Sequence, residues 1–183
     1  MRKELIFSLF SVLVILQIAT PASMILKRES VLKHGQEFRF KTAPVDPYDA
    51  FRGRYVALRI EDNEVIRPAG IKLIPEQKVY AHITVDEYGV AHISSISISR
   101  PSAQAYILAK VWYVDGNKVR LSFPIDRYYM EETAAPRAER FYRDHSSQKK
   151  QDAYVTVKVK DGFAVVNGLH IGENRIEDML KNK

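Results

Sequence analysis

The sequence predicts a mainly β domain with one amphipathic helix (α+β), its antiparallel hairpins forming a sheet or partly closed barrel. An N-terminal transmembrane helix precedes it. Three observations lead to this class. Close behind Arg2-Lys3-Glu4 come 22 consecutive residues without a charge, Leu5 to Leu26. After residue 35, apolar and polar residues alternate with period two in run after run. Gly-containing turns, two of them Asp-Gly, separate those runs.

As a helix the uncharged run is about 33 Å long, enough to cross a hydrocarbon core of roughly 30 Å. A core helix would carry a polar face, whereas here only Ser8, Ser11, Gln17 and Thr20 interrupt the apolar residues before Pro21. Two readings stay open. One is an uncleaved signal anchor over residues 1–26, with the basic N-terminus inside and residues 27–183 exported as a single β-rich extracytoplasmic domain. The other is a cleavable signal peptide, since Thr20-Pro21-Ala22 places small residues near a cut after Ala22. Pro before the cut, and an apolar run that continues through Met24, Ile25 and Leu26, favour the anchor. The location that follows is the cell membrane, single-pass, with the domain facing the periplasm or the cell exterior.

The strands follow in order. Phe38 and Phe40 alternate with Glu37, Arg39 and Lys41; Val56, Leu58 and Ile60 mark a strand over Arg54 to Ile60. Val79, Ala81, Ile83 and Val85 line one face of a strand that turns at Glu87-Tyr88-Gly89 into VAHISSISIS. AYILAKVWYV and a strand bearing Val119, Leu121 and Phe123 flank Asp115-Gly116-Asn117. In the third hairpin Val155, Val157 and Val159 precede Asp161-Gly162, and FAVVNGLHI follows. Roughly residues 131 to 151 read as a helix: Pro136 fits its first turn, Phe141 and Tyr142 face the sheet, and Arg137, Arg140, Arg143, Lys149 and Lys150 face water. Residues 173–183 read as a short charged helix or tail.

Composition narrows the chemistry. The 183 residues include no cysteine, which excludes a disulfide scaffold, a thiolate metal site and a Cys nucleophile. Residues 27–183 hold 26 basic and 21 acidic side chains with the two signs interspersed, a mild excess that calls for no nucleic acid. His82 and His92 can share a face of one hairpin, but neither belongs to a ligand spacing and no carboxylate stands at a matching position, so no metal is expected. No Gly-rich phosphate loop and no Gly-x-Ser-x-Gly elbow occur, and no cofactor is expected.

The stretch Val45-Asp46-Pro47-Tyr48-Asp49-Ala50-Phe51-Arg52-Gly53-Arg54-Tyr55-Val56-Ala57-Leu58 resembles the signature region of the GDYXXLXY domain family of bacterial membrane-anchored proteins. Gly53, Tyr55 and Leu58 match its pattern; Arg54 stands where that pattern has Asp, and Ile60 where it has Tyr. Arg127-Tyr128-Tyr129-Met130-Glu131-Glu132 is similar to the family's later aromatic-plus-Glu segment. What the resemblance implies is a membrane-tethered β-rich domain, often encoded near multi-pass membrane proteins of unknown function.

Two accounts of the signature region follow. In the structural one, Pro47 fixes a turn, Gly53 permits a backbone closed to other residues, and Leu58 anchors the strand. In the functional one, Asp46, Asp49, Arg52, Tyr55, Tyr129 and Glu131 form a ligand or partner pocket. The function expected is binding or scaffolding, held to the bilayer through residues 5–26, with a multi-pass membrane protein as the partner. An enzyme from another class is the alternative. Ser23-Met24 after the apolar run, Lys110 in an apolar strand and Gly172-Glu173-Asn174-Arg175 resemble membrane-bound signal peptidases, which use a Ser/Lys pair. The Pro-Thr expected after Ser-Met is missing, however, and Lys110 also reads as a snorkelling residue on an outer face. No catalytic residue is assigned on that basis.

Overall fold

A computed structural model describes residues 2–43, 55–131, 134–146 and 152–181. The chain starts with α1 (Arg2–His34), a 33-residue helix. It contains the uncharged run and is long and apolar enough to cross a membrane, with none of its apolar window buried against the rest of the protein. Its hydroxyls cost little in an apolar setting because each turns back on the helix: Ser8, Ser11, Thr20 and Ser23 donate to the carbonyls of Glu4, Phe7, Leu16 and Thr20. Pro21 sits inside the helix without ending it.

The helix does not stop at Leu26. It continues for eight residues, and those residues join the domain: Val31 is only 2% exposed. Lys27 lies over the Phe163 ring at 4.5 Å, and Lys160 Nζ donates to Ser30 Oγ at 2.9 Å. Gly35 then ends the helix, its N–H returning to the Val31 carbonyl at 2.7 Å. A Cβ at Gly35 would stand 2.4 Å from that carbonyl oxygen and 3.1 Å from the amide nitrogen of Val159, so the sharp passage from helix to strand depends on glycine here.

One five-stranded sheet runs β12-β11-β10-β1-β3 and a second runs β4-β8-β7-β5-β6. The first is built from β1 (Gln36–Ala43), β3 (Arg59–Ile60), β10 (Ala153–Lys160), β11 (Phe163–Ile171) and β12 (Asn174–Arg175). The second is built from β4 (Glu64–Ile66), β5 (Lys78–Val85), β6 (Ala91–Ser97), β7 (Tyr106–Asp115) and β8 (Lys118–Ser122). Bridges from Arg39 to Val90 and from Ile107 to Gly162 join the two sheets into a nearly closed antiparallel barrel. At the second seam the Leu108 N–H donates to the Gly162 carbonyl at 2.9 Å. A separate ladder pairs β2 (Tyr55–Ala57) with β9 (Arg127–Tyr129).

The expected alternation is what fills the barrel. Phe38, Phe40, Val79, Ala81, Ile83, Val119, Leu121, Val155, Val157 and Val159 are all buried. Each fully buried large aliphatic or aromatic side chain contributes about 1.5–3 kcal/mol. Asp161 (φ 51°) and Gly162 (φ 77°) form the expected hairpin turn in left-handed backbone. The helix α2 (Ala135–Ser146) buries Ala138 and Tyr142, one turn apart on one face, against β2 and β10, while Arg137 and Arg140 are exposed. A terminal helix, α3 (Ile176–Lys181), sinks Ile176 fully into the core.

Three expectations need correction. The strand expected over Arg54 to Ile60 is two strands, because β2 pairs with β9 while β3 pairs with the end of β1. Buried Leu58 stands at the break, its N–H donating to the Asp126 carbonyl at 2.8 Å. Val85 does not share the buried face of β5; it is the last residue of the strand, next to the turn, and is exposed. The helix expected over 131–151 starts at Ala135 rather than at 131, and 132–133 and 147–151 lie outside the described residues.

Gly35→Ala should therefore destabilise the protein by about 1–3 kcal/mol through overpacking at the joint. In a detergent melt this reads as a fall in Tm of roughly 2–4 °C per kcal/mol. His34→Ala, one residue earlier and exposed, should melt within a degree or two of wild type, roughly the effect of an ordinary surface change. Equal melting of the two variants would show that the joint is not tightly packed.

Candidate functional site

Of the pocket expected from sequence, Asp46, Asp49 and Arg52 lie outside the described residues, as do Pro47, Gly53 and the side chain of Tyr55. The backbone is informative. β2 and β9 pair so that Tyr55 stands opposite Tyr129, Val56 opposite Tyr128 and Ala57 opposite Arg127. The two segments singled out in the sequence, with Tyr55 and Tyr129 74 positions apart, are therefore neighbours in one ladder. Tyr129 is 62% exposed on its outer side, and Glu131 just beyond it is exposed too.

The inner side of the same strand leads to a polar cluster that sequence reasoning did not anticipate. Tyr128 is buried, and its hydroxyl makes a very short hydrogen bond to Glu177 Oε1 on α3. Burial first, and the Glu177 carboxylate second, push the Tyr128 phenol up to about 12, so it stays a donor. The other oxygen of that carboxylate, Oε2, is buried with no hydrogen bond among the described residues. Arg175 on β12 sits beside this pair and gives Nη2 to the Asn167 carbonyl at 2.6 Å.

Across the sheet from Arg175, in register, stands His170. Its ring stacks on Tyr154 of β10 at 4.9 Å with the planes 4° apart, and Arg39 of β1 lies over the other aromatic at 5.3 Å. Burial lowers the His170 pKa, and Arg175 and Arg39 push it further down, so the imidazole is neutral at pH 7. Nδ1 of that ring is the second buried atom with no hydrogen bond among the described residues. The space for these side chains comes from Gly168, where a Cβ would stand 2.8 Å from the His170 ring and 3.0 Å from Arg175. Buried polar atoms left without partners cost about 1–3 kcal/mol each, so two in one cluster mark a place suited to a polar ligand.

The other chemistry-bearing groups are engaged elsewhere. His82 and His92 both point out of the barrel, but each has its own partners. Nδ1 and Nε2 of His82 meet Gln104 at 3.0 Å and Ser97 at 2.8 Å. His92 is held between two carboxylates that are distant in sequence. Asp62 Oδ2 lies 2.5 Å from its Nδ1 and Asp86 Oδ2 lies 3.1 Å from its Nε2, a clamp between the β3–β4 loop and the β5–β6 turn. No group of three metal-ligating side chains is found among the described residues. The Ser23 hydroxyl donates to the Thr20 carbonyl at 2.7 Å, and Lys110, half exposed, pairs with Glu76 at 2.6 Å. A lysine base needs desolvation, and Lys110 lacks it.

Fold and site together define a class: a nearly closed β domain carried on a helix able to cross a membrane, with a polar cluster behind one short ladder. The chain belongs to the family described as GDYXXLXY protein, which it matches over residues 17–169. No curated protein and no solved structure matches it. The match takes in the second half of α1, the β2 signature and β9.

Tyr128→Phe removes the donor to Glu177 and leaves both carboxylate oxygens without it. Stability should fall by about 1–3 kcal/mol in chemical or thermal unfolding. A Tyr128→Phe protein as stable as wild type would mean that Glu177 is already satisfied by solvent. The His92 clamp has a definite pH signature. Its pKa is raised from 6.5, first by the hydrogen bond to Asp86 and then by Asp62, so its contribution is fully present below 6.5 and lost as pH rises through the raised value. Asp86 is lowered from 3.8, chiefly by His92, so its contribution is lost only as pH falls through the lowered value. The stability gap between wild type and His92→Gln should be widest near pH 5 and shrink toward pH 9. A gap that grows with pH would disprove the clamp.

Proposed function

We propose that this chain is a single-pass membrane protein with an uncleaved anchor over residues 1–26. Residues 27–183 form an extracytoplasmic domain that binds and scaffolds, and its partner is a multi-pass protein of the same membrane. The observation that carries this reading is the unbroken passage of α1 from its uncharged run to the buried Val31 and the Gly35 joint. A domain built to range over the surface in search of substrate is served by a flexible tether. A domain built to dock against a neighbour in the same bilayer gains from a fixed height and orientation, because less freedom is lost on association. Tyr129 and Glu131, exposed beside the signature strand, supply the binding face, with the aromatic as its anchor. The implied neighbourhood of the family supports a multi-pass partner.

The chain has no cysteine, so one introduced thiol reports its own location. Glu87→Cys, on the exposed β5–β6 turn, should react with a membrane-impermeant maleimide in intact cells. Protection until lysis would place the domain in the cytosol and remove the proposal. Tyr129→Ala and Glu131→Ala should then reduce cross-linked membrane partner by roughly fivefold or more while expression and melting hold. Partner recovery unchanged in both variants would exclude this face.

A further inference from the structure

A groove of about 300 Å³ lies at the end of the barrel from which α1 departs. One wall is the Asp161-Gly162 turn; the other is the segment from Arg100 to Tyr106 that connects β6 to β7. Its height relative to the anchor is fixed by contacts already described. Lys27, the first charged residue after Leu26, reaches the ring of Phe163, the residue after Gly162. Lys160, the residue before Asp161, reaches Ser30. The groove therefore stands level with the end of the uncharged run, where a bilayer presents its headgroups.

We infer that this groove seats the phosphodiester headgroup of an anionic lipid, an inference that rests on α1 spanning the bilayer. Arg100 is the recognising group. Its guanidinium carries five donors in a fork that fits two phosphate oxygens at once. It is held over the Tyr106 ring at 5.8 Å and gives Nη2 to Asp161 at 2.7 Å. Both members of that ion pair are more than half exposed, so the pair is weak in water and a phosphodiester competes with it. Lys27, Arg28 and Lys160 gather at the same end, against Glu29 and Asp161, and give the groove's surroundings the sign that attracts anionic lipid. Phe163 beside Lys27 is the partly exposed aromatic that favours the headgroup level, while Tyr106, buried, lines the groove beneath Arg100. The volume admits a glycerophosphate headgroup and leaves the acyl chains to the bilayer.

The test uses full-length protein in detergent, titrated with phosphatidylglycerol or phosphatidylcholine, with retained lipid counted by native mass spectrometry. Wild type should retain phosphatidylglycerol over phosphatidylcholine by roughly fivefold or more. Arg100→Gln should bring that ratio near one. Asp161→Asn keeps a residue that tolerates the left-handed turn and removes the carboxylate that competes for Arg100, so it should raise retention. Undiminished preference in Arg100→Gln, or lower retention in Asp161→Asn with melting unchanged, would overturn the assignment. Free glycerol phosphate at millimolar concentration should not displace the lipid; displacement would make a soluble phosphate ester the occupant and overturn the lipid source. Flotation with phosphatidylcholine liposomes separates the two readings. Failure to float removes the anchor and the headgroup site with it, whereas flotation without phosphatidylglycerol preference removes the site alone.

Discussion

The joint between α1 and β1 governs the rest of the molecule. Helices usually end in a loop that lets the next element find its own orientation. Here one glycine separates the last helical residue from the first strand residue, and its lack of a side chain lets the helix end against Val159 of the neighbouring strand. The last two turns of α1 are then part of the domain's core packing through Val31 and part of its surface chemistry through Lys27 and Ser30. Sheet order follows from this placement. β1 leaves the helix already beside β10, and β10 carries β11 and β12 with it.

β9 serves two environments with two adjacent tyrosines. Because successive strand residues face opposite ways, Tyr129 is presented to the outside at the signature strand while Tyr128 reaches inward to Glu177. The polar cluster runs from buried Tyr128 onto the outer face of the first sheet: β9 gives Tyr128, α3 gives Glu177, β12 gives Arg175, and the β11–β10–β1 face gives His170, Tyr154 and Arg39. Such convergence of short, otherwise marginal elements is what a polar cluster can contribute beside a barrel's apolar core.

What could be read in the sequence was what repeats. Alternation over eight or more residues identified the long hairpins, and the uncharged run identified the apolar helix, because each is a pattern many residues wide. The Asp161-Gly162 turn was legible from two residues because left-handed backbone admits so few types. β4, β9 and β12 escaped, since two or three residues carry no period and exist only through a partner strand distant in sequence. The polar cluster was illegible for the same reason. Tyr128, Tyr154, His170, Arg175 and Glu177 are unremarkable in sequence, and only register puts Arg175 opposite His170 and His170 opposite Tyr154. Asp62 and Asp86 met His92 through loop geometry that no spacing rule describes. The one available hint was the Gly168-Leu169-His170 sequence, where a strand glycine signals close approach by other groups.

The stiff joint also makes the barrel a lever on its own anchor. A helix whose apolar length slightly exceeds the hydrocarbon thickness accommodates by tilting, and thinner bilayers demand more tilt. With a hinge at residue 35 that inclination would stay in the lipid. Without one, it is handed to every strand, so a change in membrane thickness alters which flank of the domain leans toward the lipid surface.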